Sequence, residues 1–485
     1  MSEGIITKEK IEQQREKDRE MLKSRWAALH EYYIKEAGEE RAEEIISALQ
    51  EMFALFDGGL VDWLARLYDK KIGGFYYSNS ARDNEQFLPD VESTAQALGL
   101  MVSTGMLEDF DNDPTKALPK EMQESIKRWV KGLQDPNGYF YHPQWGKEAT
   151  DKNLIRRGRD VTMAMIALKR VGALPTYDSP NGEKGDGILP DGTPVAEAKC
   201  NNKEEVKPAA KIEISSCWTT DEAPDESGVA PYLRNKESFI NYLNGIDIHD
   251  NPYFHGSALE SQSSQIAERD RQLRAAGADY SLCDILEEWL TAHQNPKTGL
   301  WTPYDEVDYM GVNGLLKISS TYSRIGKEVP NAVTALNSAM KAITFDEEPT
   351  TVCFTLNPWY AIVVVTANIL RFAKGNKEAE DRVAEFKNAL FDRFPTLIRK
   401  TTENMAKFRK QDGSFSYLQN RTAACSQGMP VALMDENEGD VNATLCIRST
   451  LGHVMDIFGH YSAIPMYTRA DFMRILYLIE NGGED

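Results

Sequence analysis

The sequence runs to 485 residues and carries 55 Lys and Arg against 75 Asp and Glu, a formal net charge of -20. That surplus repels a phosphate backbone or an anionic bilayer, so neither a nucleic acid nor a membrane is an expected partner. Hydrophobic residues at 41% and charged residues at 27% lie in the ordinary globular range, which excludes a mainly disordered chain.

The first residues lack the apolar stretch of a signal peptide, and no run of about 18 uncharged apolar residues follows. The longest apolar run, Tyr360 to Leu370, is interrupted by Thr366 and Asn368 and reads as a buried helix. Six cysteines (Cys200, Cys217, Cys283, Cys353, Cys425 and Cys446) are scattered without a C-x-x-C pair. Free thiols in a reducing, cytoplasmic setting are the expectation.

Along residues 1–59, apolar positions at helical spacing (among them Ile11, Leu22, Trp26, Leu29, Ile45, Leu49 and Phe53) predict two helices broken near Gly38 and stopped by Gly58-Gly59. They are expected to pack on the rest of the chain, residues 60–485. There, alternating β-branched runs are nearly absent, so the fold class is all-α. A unit recurs instead: an amphipathic helix, a turn pairing Gly with aromatics, a polar loop, and a second helix opened by a short polar residue. Gly73-Gly74-Phe75-Tyr76-Tyr77 leads to Asp90-Val91-Glu92-Ser93-Thr94, and Gln134-Asp135-Pro136-Asn137-Gly138-Tyr139-Phe140 to a helix at Asp160. Gln294-Asn295-Pro296-Lys297-Thr298-Gly299-Leu300-Trp301 leads to Asp308, a degenerate copy opens at Asn357-Pro358-Trp359, and Gln411-Asp412-Gly413-Ser414-Phe415 leads to Asp440-Val441-Asn442-Ala443-Thr444. Asp90, Asp160 and Asp440 each stand where an N-cap belongs. The second helices are apolar on more than one face, as inner helices are, while the first keep a charged outer stripe. The expected architecture is an α/α toroid of about five to six inner and outer helix pairs. A long loop insertion, about 175–235, is rich in Gly, Pro and charge and reads equally as a lid over the mouth or as a disordered linker.

The Gln134 and Gln294 turns resemble the Gln-x-x-x-Gly-Trp-type turns of the prenyltransferase and terpenoid-cyclase toroid superfamily, and the likeness spans most of residues 60–460. The same toroid carries many glycoside hydrolases and polysaccharide lyases, so the resemblance implies a shape and leaves the chemistry open. Asp90-Val91-Glu92-Ser93-Thr94-Ala95 is similar to the Asp-x-Asp-Asp-Thr-Ala motif with which class II terpene cyclases protonate an alkene. That likeness implies Glu92 as the acid, but Ser93 stands where the motif has its last Asp.

In a toroid the starts of the inner helices meet at one mouth. Hydrolysis of a glycosidic bond needs one carboxyl to protonate the leaving oxygen and another to activate water, so Glu92, Asp160, Glu438 and Asp440 are the candidate catalytic residues. Substrate contacts are expected from Asp90, Tyr76, Tyr77, Arg156, Arg157, Arg159, Trp301, Asp308, Tyr309, Asn313, Trp359 and Asn442: aromatics stack on a sugar ring, Asn reads hydroxyls, and the arginines suit a uronate or sulfate. With a uronate bound, Tyr76, Tyr77 or Tyr309 becomes a candidate lyase base. No histidine has ligand spacing, Asp279 and Cys283 lack a His partner, and no Gly-rich phosphate loop occurs, so no metal or cofactor is expected. The leading expectation is a carbohydrate-active enzyme, hydrolase or lyase, acting on a short and perhaps anionic oligosaccharide. A terpenoid-cyclase-like enzyme and a non-catalytic binding toroid are the alternatives, the last with every carboxylate spent on caps and ion pairs.

Overall fold

The computed structural model describes residues 6–197, 229–373 and 376–483. Helix makes up 61% of it and strand 5%, so the chain is an all-α protein.

Helices α1 (Lys8–Ala37) and α2 (Glu39–Phe53) come first, separated by Gly38 at φ 83°, a conformation that favours glycine. Helix α3 (Gly58–Arg66) is capped by Asp57, which accepts from Gly59 N at 2.9 Å. A two-residue hairpin, β1 (Tyr68–Asp69) with β2 (Gly74–Phe75), leads through α4 (Asn79–Arg82) to α5 (Val91–Ser103). Then follow α6 (Pro114–Ala117), α7 (Lys120–Gly132), α8 (Gly146–Lys152) and α9 (Leu154–Arg170). The next stretch comprises α10 (Lys236–Asn244), α11 (Pro252–Ala275), α12 (Leu282–Ala292), α13 (Tyr309–Arg324) and α14 (Ala332–Ile343). After these come α15 (Cys353–Ala373), α16 (Lys377–Phe391), α17 (Phe394–Ala406), a hairpin of β3 (Cys425–Ser426) with β4 (Met429–Pro430), α18 (Val441–Asp456) and α19 (Arg469–Glu480).

Two of the three expected caps are formed: Asp90 accepts from Ser93 N at 2.9 Å and Asp440 from Ala443 N at 2.7 Å, and Asp308 caps α13 in the same way, from Gly311 N at 2.7 Å. Asp160 is not a cap. Helix α9 starts six residues earlier, where Asn153 accepts from Arg156 N at 2.9 Å, which puts the arginine cluster on the first turns of the helix. The degenerate unit also begins early, since α15 is helical from Cys353 and carries Pro358 inside it, at the cost of one backbone bond to Phe354.

The same local device recurs in two units. Thr94 accepts from Phe75 N at 3.0 Å and Thr444 from Phe415 N at 3.1 Å, so each helix grips its own Gly-aromatic turn one helical turn beyond its capping Asp. The turn glutamines act alike too. Gln134 Nε2 donates to Gly138 O and to Tyr177 O, and Gln294 Nε2 to Gly299 O and Pro330 O, so each ties its turn to the loop after the next helix.

Helix α5 packs on α9, α9 on α11, α11 on α13, α13 on α15, α15 on α18, and α18 back on α5, a closed cycle of six neighbours. Packed against its members are α7 on α9, α12 on α11, and α14, α16 and α17 on α15; α1 and α2 pack on α19 and α17. Every residue from Val91 to Met101 of α5 is buried, as a helix covered on more than one side requires. Helix α15, long and apolar enough to cross a membrane, lies mostly buried in the same cycle. Of the expected insertion, residues 198–228 fall outside the described residues. The stretch before them is anchored by the fully buried Lys131 ammonium, 2.7 Å from Asp186.

Helices α11 and α13 approach through glycine. A Cβ on Gly314 would lie 2.6 Å from Pro252 Cβ and 2.9 Å from its carbonyl carbon. Alanine ordinarily stabilises a helix interior over glycine by about 1 kcal/mol, but here the clash prevails. Gly314→Ala is expected to lose about 1–3 kcal/mol, read as a lower urea midpoint; an unchanged or raised midpoint contradicts the close approach.

Candidate functional site

The first turns of α5 and α9 bring five ionisable side chains together. Glu92 accepts from Arg156 Nη1 at 2.7 Å and from Arg159 Nε, and Arg156 turns its other edge to Asp160, with Nε 2.8 Å from Oδ1 and Nη2 on the same oxygen. Asp90 stands 4.0 Å from Arg156 Nη2. Arg156 and Asp160 are wholly buried and Glu92 is 1% exposed. The guanidinium also lies over the Trp145 ring, 4.7 Å from its centre, so a flat cation fills a slot between carboxylates and indole.

Three carboxyls share two guanidiniums here, and their proton affinities diverge accordingly. Burial pushes Glu92 up, but Arg159 and Arg156 outweigh it and hold the carboxyl at about 2. Burial prevails at Asp160, lifting it to about 6 although Arg156 holds one of its oxygens. Its Oδ2 is buried without a partner. Asp90 is raised by burial as well. Asp440 is lifted to about 6 by burial, despite donors at Ala443 N, Thr422 Oγ1 at 2.9 Å and Tyr417 N at 3.0 Å. Burial and then the neighbouring Asp440 raise the Tyr77 phenol.

Polar contacts also join other neighbouring helices of the cycle. Glu260 of α11 pairs with Lys317 at 3.1 Å and Arg324 at 2.9 Å, both of α13, and with Arg159 nearby it is held at about 2 against the opposing effect of burial. Asn357 of α15 donates to Asn313 of α13 at 3.0 Å, and Gln96 of α5 donates to Asn442 of α18 at 2.8 Å. Tyr253 of α11 lies under the Lys317 ammonium and beside Cys353 of α15, whose sulfur is 3.7 Å from its hydroxyl and 3.4 Å from that of Tyr417. Arg159, Tyr253, Glu260, Lys317, Tyr417, Asn442 and Cys446 are partly exposed although they lie on the cycle or directly against it. The result is a belt of polar groups touching all six helices.

The β3–β4 hairpin covers the Glu92 end of this belt. Ser426 Oγ donates to Glu92 at 3.0 Å, Asn153 Nδ2 to Gln427 O at 2.7 Å, and Trp145 Nε1 and Gln144 Nε2 to Pro430 O at 3.0 and 3.1 Å. Met429, Val431 and Ala432 pack with Tyr77, Ala81, Phe87 and Trp145 as a small apolar cluster separate from the main core.

Other residues singled out from the sequence lie elsewhere or brace the frame. Glu438 is partly exposed and bound by Ser78 Oγ at 2.7 Å and Ser80 N at 2.8 Å, tying the loop before α18 to α4. Tyr76 donates to Asp69 at 3.0 Å beside the first hairpin. Trp301 and Trp359 are fully buried, donating to Leu290 O at 2.7 Å and Thr401 Oγ1 at 2.9 Å. Tyr309 packs against Phe345 and Phe354, and Asp308 takes the Tyr304 hydroxyl at 2.6 Å. Arg157 lies over Tyr139 and donates to Asp151 O. Glu260, Lys317, Tyr253, Tyr417, Gln96 and Ser426 escaped the sequence reading; the one local trace was a charge in an otherwise apolar helix, as at Lys317. Among the described residues no group of three or more His, Cys, Asp or Glu is arranged to hold a metal ion.

No protein-family model, curated protein or solved structure matches the chain. Its class rests on its own geometry: an all-α protein with a buried ion network at the start of two helices.

Removing Arg156 strands the carboxyls it serves. Arg156→Met is expected to cost about 3–5 kcal/mol at pH 7. Without the cation, the folded-state pKa of Asp160, already above its unfolded value, rises further and that of Glu92 rises from about 2, so the variant regains stability as pH falls toward 5. Urea unfolding at both pH values checks this; a loss below about 1 kcal/mol, or one independent of pH, contradicts it.

Proposed function

We propose that the closed cycle of six helices is the inner layer of an α/α toroid, and that the chain is a carbohydrate-active enzyme taking a short oligosaccharide into the space the cycle encloses. The polar belt carries this reading. Amides, phenols, ammonium and carboxylate alternate around the cycle, and hydroxyl-rich ligands satisfy such mixed donors and acceptors, with Lys317 and Arg159 available to a uronate. Exposed Tyr304, near Asp308 at the start of α13, offers a ring face to a sugar at the rim.

Within this reading the four candidate carboxylates take different parts. Glu92 stays ionised and fixes the arginines. Asp160, near 6 with one oxygen unpaired, carries the proton that catalysis exchanges. Asp440 holds Tyr77 and the start of α18, and Glu438 holds its loop. Asp160 is wholly buried, so this reading requires the β3–β4 hairpin to lift off Glu92 and give up its bonds to Asn153, Gln144 and Trp145 before ligand enters. A terpenoid-cyclase-like mechanism is disfavoured, because a hydrocarbon cation would meet the desolvated charges of the belt and Glu92 gives up its proton far below neutral pH. A non-catalytic binding toroid is the second reading, favoured by the caps that occupy Asp90, Asp308 and Asp440.

Purified protein incubated with neutral and uronate-bearing oligosaccharides decides between them. Turnover is expected, reduced about 100-fold or more in Asp160→Asn with binding little changed, and Lys317→Met is expected to raise KM for the anionic members. Binding without turnover supports the second reading. Turnover of equal size in Asp160→Asn removes the role given to that carboxyl.

A further inference from the structure

A cleft of about 310 Å³ opens between the loop at 178–184 and the C-terminal half of α11, at the low end of the volumes that hold small ligands. Its walls are fixed. Gly138, at φ 89°, lets the Asp178 carbonyl approach to where a Cβ would lie at 2.3 Å. Gln134 ties Tyr177 to the neighbouring turn through both ends of its amide, and Arg269 Nε holds Leu233 O at 3.1 Å on the far side.

Gln265, 2% exposed, lines this cleft. Its Oε1 accepts from the Tyr139 hydroxyl at 3.0 Å, and its Nε2 has no partner. Turning the amide over moves the vacancy to the other atom without filling it. An unpaired buried amide end costs roughly 1–3 kcal/mol, and a ligand in the cleft would recover it once the Gln265 amide turns toward the opening.

The rim sets the charge of that ligand. Lys184 faces Asp178 at 2.6 Å, and Arg271 grips Glu268 with two bonds of 2.6 and 2.8 Å. An anion entering the cleft meets Asp178 and Glu268, and a cation meets Lys184, Arg271 and Arg269, the last already donating to the Leu233 and Arg234 carbonyls and the Gln272 amide. A neutral molecule opposes neither pair. Hydroxyls both donate and accept, so they suit Gln265 in either orientation, and Ala230 and Leu233 offer an apolar patch to the C–H face of a ring. We propose that this cleft is a binding site, distinct from the polar belt and independent of the function proposed for it, for a neutral polyhydroxylated molecule of about monosaccharide size.

Saturation-transfer NMR on the full chain tests this with methyl glucoside and myo-inositol as neutral probes and glucuronate and glucosamine as charged ones. At least one neutral probe is expected to bind more tightly than either charged probe. Gln265→Leu is expected to weaken it about tenfold, and the exposed-rim double variant Asp178→Ala/Lys184→Ala about threefold, while Lys317→Met leaves it unchanged. If circular dichroism shows Gln265→Leu unfolded, the rim variant decides, since both of its side chains are largely exposed. The proposal is overturned if neither neutral probe binds, if a charged probe binds best, if the folded cleft variants bind like the parent, or if Lys317→Met abolishes the signal.

Discussion

A single guanidinium with no solvent contact organises the start of two helices. Arg156 bridges Glu92 of α5 to Asp160 of its own helix, and its face lies on Trp145. Burying a cation and two anions costs several kcal/mol each unless the geometry returns it, and here the planar fork meets both carboxylates while the indole covers what remains. The first turn of α9 carries cations where a helix dipole disfavours them. The Glu92 carboxylate compensates, so the register of α9 against α5 follows from the pairing as much as from apolar contacts.

The carboxyl chemistry follows from that constraint. Two guanidiniums serve three acids, so their proton affinities part: burial raises Asp160 and Asp90, while Arg159 and Arg156 hold Glu92 low. Glu260 repeats the arrangement on the next helix with Lys317 and Arg324. The amides of Asn357 and Asn442 extend the belt to α15 and α18. A belt of this kind is costly to leave half-solvated unless ligand or water meets it, and that cost is the physical ground of the reading proposed for it.

Much of the frame was legible in the sequence. The Gly-aromatic turns and the Asp caps at Asp90 and Asp440 are local signals, each decided within ten residues, and the all-α class follows from them, whereas the Gln134 and Gln294 ties reach 43 and 36 residues along the chain. Asp160 is not the cap because the helix opens at Asn153, a local signal hidden by the run Arg156, Arg157, Gly158 and Arg159, which looks like loop until Glu92, 64 residues away, is seen to pair its arginines. The belt was the least legible part. Glu260 and Lys317 lie 57 residues apart and Gln96 and Asn442 346 apart, with no pattern linking them in the chain. Trp301 and Trp359 illustrate the opposite error, since an aromatic in a polar loop reads as a sugar platform until the fold turns it into the core.

Carbon-13 titration of the Glu92 and Asp160 side-chain carboxyls in the intact protein addresses the network most directly. With Arg156 in place, Glu92 is predicted to remain ionised down to pH 3 and Asp160 to change protonation near pH 6. Both carboxyls titrating together near 4 would contradict the shared buried guanidinium, and with it the assignment of Asp160 as the carrier of the exchangeable proton.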